Sequence, residues 1–395
     1  MRLPAFFTSM AFVAAAAVAI AGCQSEAATR VARGQELLDQ GDASAAVREF
    51  DAALAADPEL VDAYGGRAAA RYEIYDYDGA LADFERYLMA QPDDVEALAF
   101  RGEILVRFGR LDEAERDLTR ALELDPSAST AYVSMGNLRA AQGDWERAIE
   151  AYDRALEIAP EAVDALVNRG NASDRAGDVE LAMADYERAL EIEPDSAFAL
   201  RERAVALLSQ GRPDEAIEDL DRAIELDPVY PRAYSNRASG RLELGDVSGA
   251  FADASRGVEL EPDWAYAHLV LGLVLEQQGE LDLAIEALER AVELDDALFD
   301  GRLQLGRLLV TRGEEEASET DLRAGLDQLD AARSINDADV RVQLFRGIAL
   351  LDLGEMEEGR AALLDARERA SEPEMRQLVD EILAALEEGA RGRPA

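Results

Sequence analysis

Proline returns every 34 residues, at Pro58, Pro92, Pro126, Pro160, Pro194, Pro228 and Pro262, and Asp296 holds the next place in the register. A period of that length marks a repeat architecture, in which one short unit is copied and stacked. Glycine keeps the same period at Gly41, Gly109, Gly143, Gly177, Gly211, Gly245 and Gly279, with Tyr75 in the remaining place. Glycine there predicts a helix that stops in a left-handed turn, a conformation that a side chain makes costly. Small residues recur at Ala46, Ala80, Ala114, Ala148, Ala182, Ala216, Ala250 and Ala284, and again at Ala53, Ala121, Ala155, Ala189, Gly257 and Ala291. They predict two antiparallel helices per unit in close approach. Phe50, Phe84, Leu118, Tyr152, Tyr186, Leu220 and Leu288, at helical spacing between the two series, are expected to fill the space left over. One such hairpin cannot bury both its apolar stripes, whereas stacked copies share a continuous core. The expected fold is all-α.

This pattern resembles the tetratricopeptide repeat, with eight units in uninterrupted register from residue 27 to 298. "AYVSMGNLRAAQGDWERAIEAYDRALEIAP" carries the resemblance most fully, with Tyr132, Gly136, Gly143, Trp145, Ala148, Tyr152, Ala155 and Pro160 at the signature places. The resemblance implies an α-α superhelical solenoid of helical hairpins. Residues 299–372 read as two divergent units, the ninth starting at Phe299 with about seven extra residues around Gly313 to Leu322. That makes about ten units. Residues 373–395 read as a capping helix, begun by Pro373 and ended by Gly389, with a polar, disordered tail.

The units are internal copies and can be compared with one another. Eight residues before the turn stand Arg33, Arg67, Arg101, Arg169, Arg203 and Arg237, and eight after it Glu49, Asp83, Asp117, Asp185, Asp219 and Asp253. Places equidistant from the turn of a hairpin face each other, which predicts an arginine–carboxylate bridge between the helices of these six units. Where the first place holds Met135 or Leu271, the second holds Ala151 or Ala287. The joint change to apolar residues predicts partial burial and a structural role. Arg346 is expected to lack a partner, because Ala362 occupies the facing place.

The chain opens with Arg2 and an apolar run through Phe6, Phe7, Phe12, Val13 and Ile20 among alanines, the pattern of a secretory signal over residues 1–22. "IAGC" resembles the lipobox of bacterial lipoproteins, which implies cleavage before Cys23 and a lipid on its thiol. Residues 23–26 are then a tether a few residues long, and the first unit is expected close to the bilayer. Gln24 after the cysteine resembles lipoproteins sent to the outer membrane of Gram-negative cells, facing the periplasm.

Chemistry is sparse. Cys23 is the only cysteine, which excludes an internal disulfide and multi-cysteine metal sites. His268 is the only histidine, at a place where other units carry Tyr64, Tyr132 and Tyr234, and is expected to pack. There is no phosphate-cradling glycine loop, so no cofactor, metal or small-molecule substrate is expected. A net charge of -43, with arginine as the only basic residue type, disfavours nucleic acid and anionic lipid. What remains is surface. The resemblance implies that each first helix lines a concave groove binding peptides or extended protein segments. It places Asn137, Asn168, Asn171 and Asn236 on that groove, with Arg201, Arg232 and Tyr266 near them. An asparagine offers both a donor and an acceptor, so a ladder of them holds a peptide backbone whatever its sequence. The expected function is a lipid-anchored adaptor of the cell envelope, not an enzyme. A spacer or self-associating scaffold without a peptide ligand is the alternative, and a regulatory subunit of an envelope enzyme a more remote one.

Overall fold

The computed structural model describes residues 26–391. The signal segment, Cys23 and the last residues of the tail lie outside them. Among the described residues there are 21 helices and no strand. They form two compact units, one ending at Pro194 and the other starting at Asp195.

In the first unit α1 (Glu26–Asp39) pairs with α2 (Ala43–Ala56), α3 (Val61–Glu73) with α4 (Tyr77–Ala90), and α5 (Val95–Arg107) with α6 (Leu111–Leu124). Then α7 (Ser129–Ala141) pairs with α8 (Trp145–Ile158), and α9 (Val163–Ala176) with α10 (Val179–Ile192). The turn after α7 shows why the pairs form. Gly143 takes a left-handed φ of 76°, and its N–H donates to the Ala140 carbonyl while that of Asp144 reaches back to Arg139. Asp144 then caps α8, accepting from the Arg147 N–H at 3.2 Å. One dipeptide thus closes one helix and opens the next.

Above the turn, Tyr152 of α8 presses its ring into a notch at Gly136 of α7, where an added Cβ would stand 2.4 Å from the ring. Phe50 at Gly34, Leu118 at Gly102 and Tyr186 at Gly170 repeat the arrangement. In these hairpins the large residues of the second helix thus fill notches at glycines of the first helix, and not space left by the alanine series of their own helix. Successive first helices touch, as α7 does α5 and α9, with no comparable contact between successive second helices. The first helices accordingly lie on the inner side of the unit's curve.

The second unit pairs α11 (Ala197–Ser209) with α12 (Pro213–Leu226), α13 (Pro231–Glu243) with α14 (Val247–Leu260), and α15 (Ala265–Gln277) with α16 (Leu281–Leu294). Next come α17 (Phe299–Glu316) with α18 (Glu319–Ile335), α19 (Val340–Asp352) with α20 (Met356–Arg369), and finally α21 (Pro373–Arg391). The extra residues of the ninth hairpin do not loop out. They lengthen its helices to 18 and 17 residues, against 13 and 14 in its neighbours. The turn between them uses Ala317 in a left-handed conformation. Helix α21 runs two residues past Gly389, the expected end. It lays Val379, fully buried, with Met375, Ile382 and Leu383 on Leu344, Leu363 and Ala366, covering the apolar side of the last hairpin.

Candidate functional site

The asparagines of the first unit converge. The Tyr152 hydroxyl donates to Asn137 Oδ1 at 2.7 Å, and Asn168 Nδ2 donates to the same oxygen at 3.1 Å. The Tyr186 hydroxyl donates to Asn171 Oδ1 at 2.6 Å. Burial pushes the Tyr152 hydroxyl well above its usual range, so it stays protonated and remains a donor. Both bonds occupy the amide oxygens. The Nδ2 groups of Asn137 and Asn171 are left without a partner among the described residues. They border a cleft of about 240 Å³ between α7, α8 and α9, together with Trp145, Asn168 and Arg175. Arg175 is exposed in the last turn of α9, and no carboxylate holds it among the described residues. The cleft therefore presents hydrogen-bond donors and an aromatic wall. The repeat pattern located the asparagines but not Trp145, Tyr152 or Arg175, because the first two also serve the hairpin core and read there as packing.

In the second unit the expected groove residues are differently engaged. Asn236 is buried at 6% exposure and does not line an open wall. It shares the buried side of α13 with Ala233, Ser235, Ala238 and Gly240. The Arg201 Nε donates to the Tyr230 hydroxyl at 2.7 Å, and its guanidinium also bonds Glu202. Arg232 stacks 5.2 Å over the Trp264 ring, which in turn packs on Tyr266 at 5.3 Å. Arg232 and Tyr266 remain at the surface as an aromatic and cationic patch.

The arginine–carboxylate places meet in two ways. Arg67–Asp83, Arg101–Asp117, Arg169–Asp185, Arg203–Asp219 and Arg237–Asp253 are two-pronged, with contacts of 2.6 to 2.8 Å and aspartates buried to below 10% exposure. Arg33 meets Glu49 only at 3.5 Å and is largely exposed. Three of these arginines also reach backward, to the second helix of the preceding hairpin. Arg67 holds Asp51 at 2.6 Å, Arg169 holds Asp153 at 2.5 Å, and Arg237 holds Asp221 at 2.5 Å. Arg346, expected to be unpaired, bonds Asp330 at 2.6 Å in this backward manner. An aspartate 16 residues before the arginine was visible in the sequence as the signal for this second set.

His268 is half-buried, with Nε2 2.8 Å from the Pro262 carbonyl. The Tyr64 and Tyr234 hydroxyls donate to the carbonyls of Pro58 and Pro228 in the same manner. In these three units the place ties the first helix to the loop before it. Among the described residues no group of three or more acidic, histidine or cysteine side chains could hold a metal ion, and no helix is long and apolar enough to cross a membrane.

Family models described as tetratricopeptide repeat match residues 31–88, 70–129, 133–197 and 235–298, and a second such model matches 197–230. Among solved structures, the APC/C hetero-tetramer Cut9–Hcn1 is similar at 13% identity with a TM-score of 0.60. That likeness covers 82% of this chain and 76% of the other, and it shows the fold. MamA is 25% identical over 41% of this chain and 94% of its own, with a TM-score of 0.35. YrrB, described as a protein with an unusual peptide-binding site, is 23% identical over 47% of this chain and 95% of its own, also with a TM-score of 0.35. No curated protein matches.

Proposed function

The chain belongs to the tetratricopeptide repeat family, and on that premise we propose that it is a protein-interaction scaffold whose first unit grips an extended segment of its partner. The observation that carries this reading is the cleft at Asn137, Asn168 and Asn171. Its asparagines lie on inner first helices, and tyrosine hydroxyls take up the amide oxygens of Asn137 and Asn171 so that the nitrogens of these two stay available. Peptide carbonyls are acceptors spaced along an extended chain, and such donors suit them irrespective of side-chain sequence.

We further propose that the protein is a lipoprotein of the cell envelope, anchored through Cys23. The apolar run before "IAGC" supports this. Two experiments test the two parts. Replacing Asn137 and Asn171 together by alanine should abolish recovery of partners from envelope extracts without changing helicity; equal recovery would leave a spacer as the better reading. Cys23→Ser should give an unlipidated precursor, and a mature-size protein still in the membrane fraction would refute anchoring.

A further inference from the structure

Asp62, Glu96 and Asp164 occupy one place of the repeat, in the first turns of α3, α5 and α9, with Thr130 at that place in α7. In the second unit the same place holds Phe198, Arg232, Tyr266 and then Asp300, which unlike the three acids of the first unit has an arginine, Arg341, at 3.8 Å. None of the three carboxylates has an arginine partner among the described residues, although nearly every arginine is committed to a carboxylate elsewhere. Glu103, on the same inner wall, is held by the Tyr72 hydroxyl at 2.6 Å and by Arg107 at 3.1 Å. A carboxylate in the first turn of a helix is ordinarily favoured by the helix dipole. Here the opposite influence wins. Partial loss of hydration at the wall, with Glu103 and Glu193, raises Asp164, and burial with Asp94 raises Glu96. Like charge without an arginine partner thus stands in the first turns of the same series of first helices whose α7 and α9 carry the donor cleft.

We infer that the partner segment gripped by the first unit is cationic: an extended peptide carrying arginine or lysine side chains toward Asp62, Glu96 and Asp164 while its carbonyls meet Asn137 and Asn171. The inference rests on the proposed binding role of this wall. An extended chain in the polyproline II form rises about 3.1 Å per residue and turns the same face every third residue, and packed helices lie about 8–10 Å apart, so basic residues three apart face successive first helices. Tyr152 and Tyr186 act as positioning residues. Their hydroxyls keep the amide oxygens turned inward, so the cleft presents nitrogen donors to the backbone and leaves charge selection to the acidic turns.

The test uses the full chain and three end-capped, labelled twelve-residue peptides, (Arg-Thr-Val)4, (Gln-Thr-Val)4 and (Glu-Thr-Val)4, read by fluorescence anisotropy at physiological salt. The arginine peptide should bind about tenfold more tightly than the glutamine peptide, the scale of a few exposed ion pairs, and the glutamate peptide not at all. Asp62→Asn, Glu96→Gln and Asp164→Asn combined should erase that preference, while Glu218→Gln, Glu286→Gln and Glu289→Gln on second helices should keep it. The acidic-turn variant removes three of 43 net negative charges, so unchanged binding would mean only a diffuse attraction and overturn the inference. Tyr152→Phe keeps the ring in its notch and should weaken all binding without altering the arginine preference. If the glutamine or glutamate peptide binds as well as the arginine one and Asn137 and Asn171 are still required, the cationic partner is wrong and the binding groove stands. If no peptide binds, the inference falls, and the extract experiment alone decides the groove.

Discussion

Tyr75 holds a left-handed φ of 64° at a turn where neighbouring hairpins place glycine. For a residue with a Cβ that conformation costs about 1–2 kcal/mol, and glycine's greater freedom when unfolded takes part of the difference back. The ring is largely exposed and touches Tyr77 only edge-on at 6.2 Å, so little packing is lost with it. Tyr75→Gly should therefore raise stability by about 0.5–1 kcal/mol in urea denaturation. A drop would mean that the exposed ring contributes more than the strain. Such single residues were readable where the requirement is local. The turn glycines announce themselves by period, and the large residues announce the notches they fill. The orientation of the Asn137 and Asn171 amides was not readable, because it depends on hydroxyls 15 residues away on a facing helix. Burial of Asn236 was hidden for a related reason: its spacing is that of a groove residue, and only the packing of α13 decides which way it faces.

At the scale of the helix pair, arginine and aspartate fix the hairpin. Asp185 is 3% exposed and receives two bonds from Arg169, so removing it strands a half-buried guanidinium beside Asp153 alone. Asp185→Ala should cost roughly 2–4 kcal/mol. Arg169→Met added to it should recover most of that loss, because Met135 and Ala151 fill the equivalent places of the preceding hairpin. A double variant as unstable as the single one would show that the charges carry more than registry. The 16-residue spacing within a hairpin made these pairs legible from sequence. The bridges to the preceding hairpin have the same spacing in the other direction, and comparing places inside one unit cannot reveal a contact between two. The ninth hairpin was legible as an insertion only. Both helices grow because Gly306, Gly313 and Gly325 let α17 and α18 stay close: a Cβ at Gly325 would stand 2.9 Å from the Gly306 carbonyl oxygen.

At the scale of the whole molecule, the all-α repeat fold followed from period alone, since no single hairpin can cover its own apolar surface. Charge was legible in amount and not in place. A surplus of acid over a solenoid is first of all a solubility device. Only the positions of the arginines show that most of the positive charge is engaged in structural pairs, leaving the first turns of α3, α5 and α9 bare. On the proposed reading, partners are gripped along inner first helices and not against the outer second helices. The most direct measurement is site-specific photocrosslinking in whole cells, with a photoreactive residue at Asn171 in one strain and at Arg188, exposed on α10, in another. Adducts formed from position 171 and absent from 188 are the predicted result. Equal adducts from both positions, or adducts from 188 alone, would contradict it.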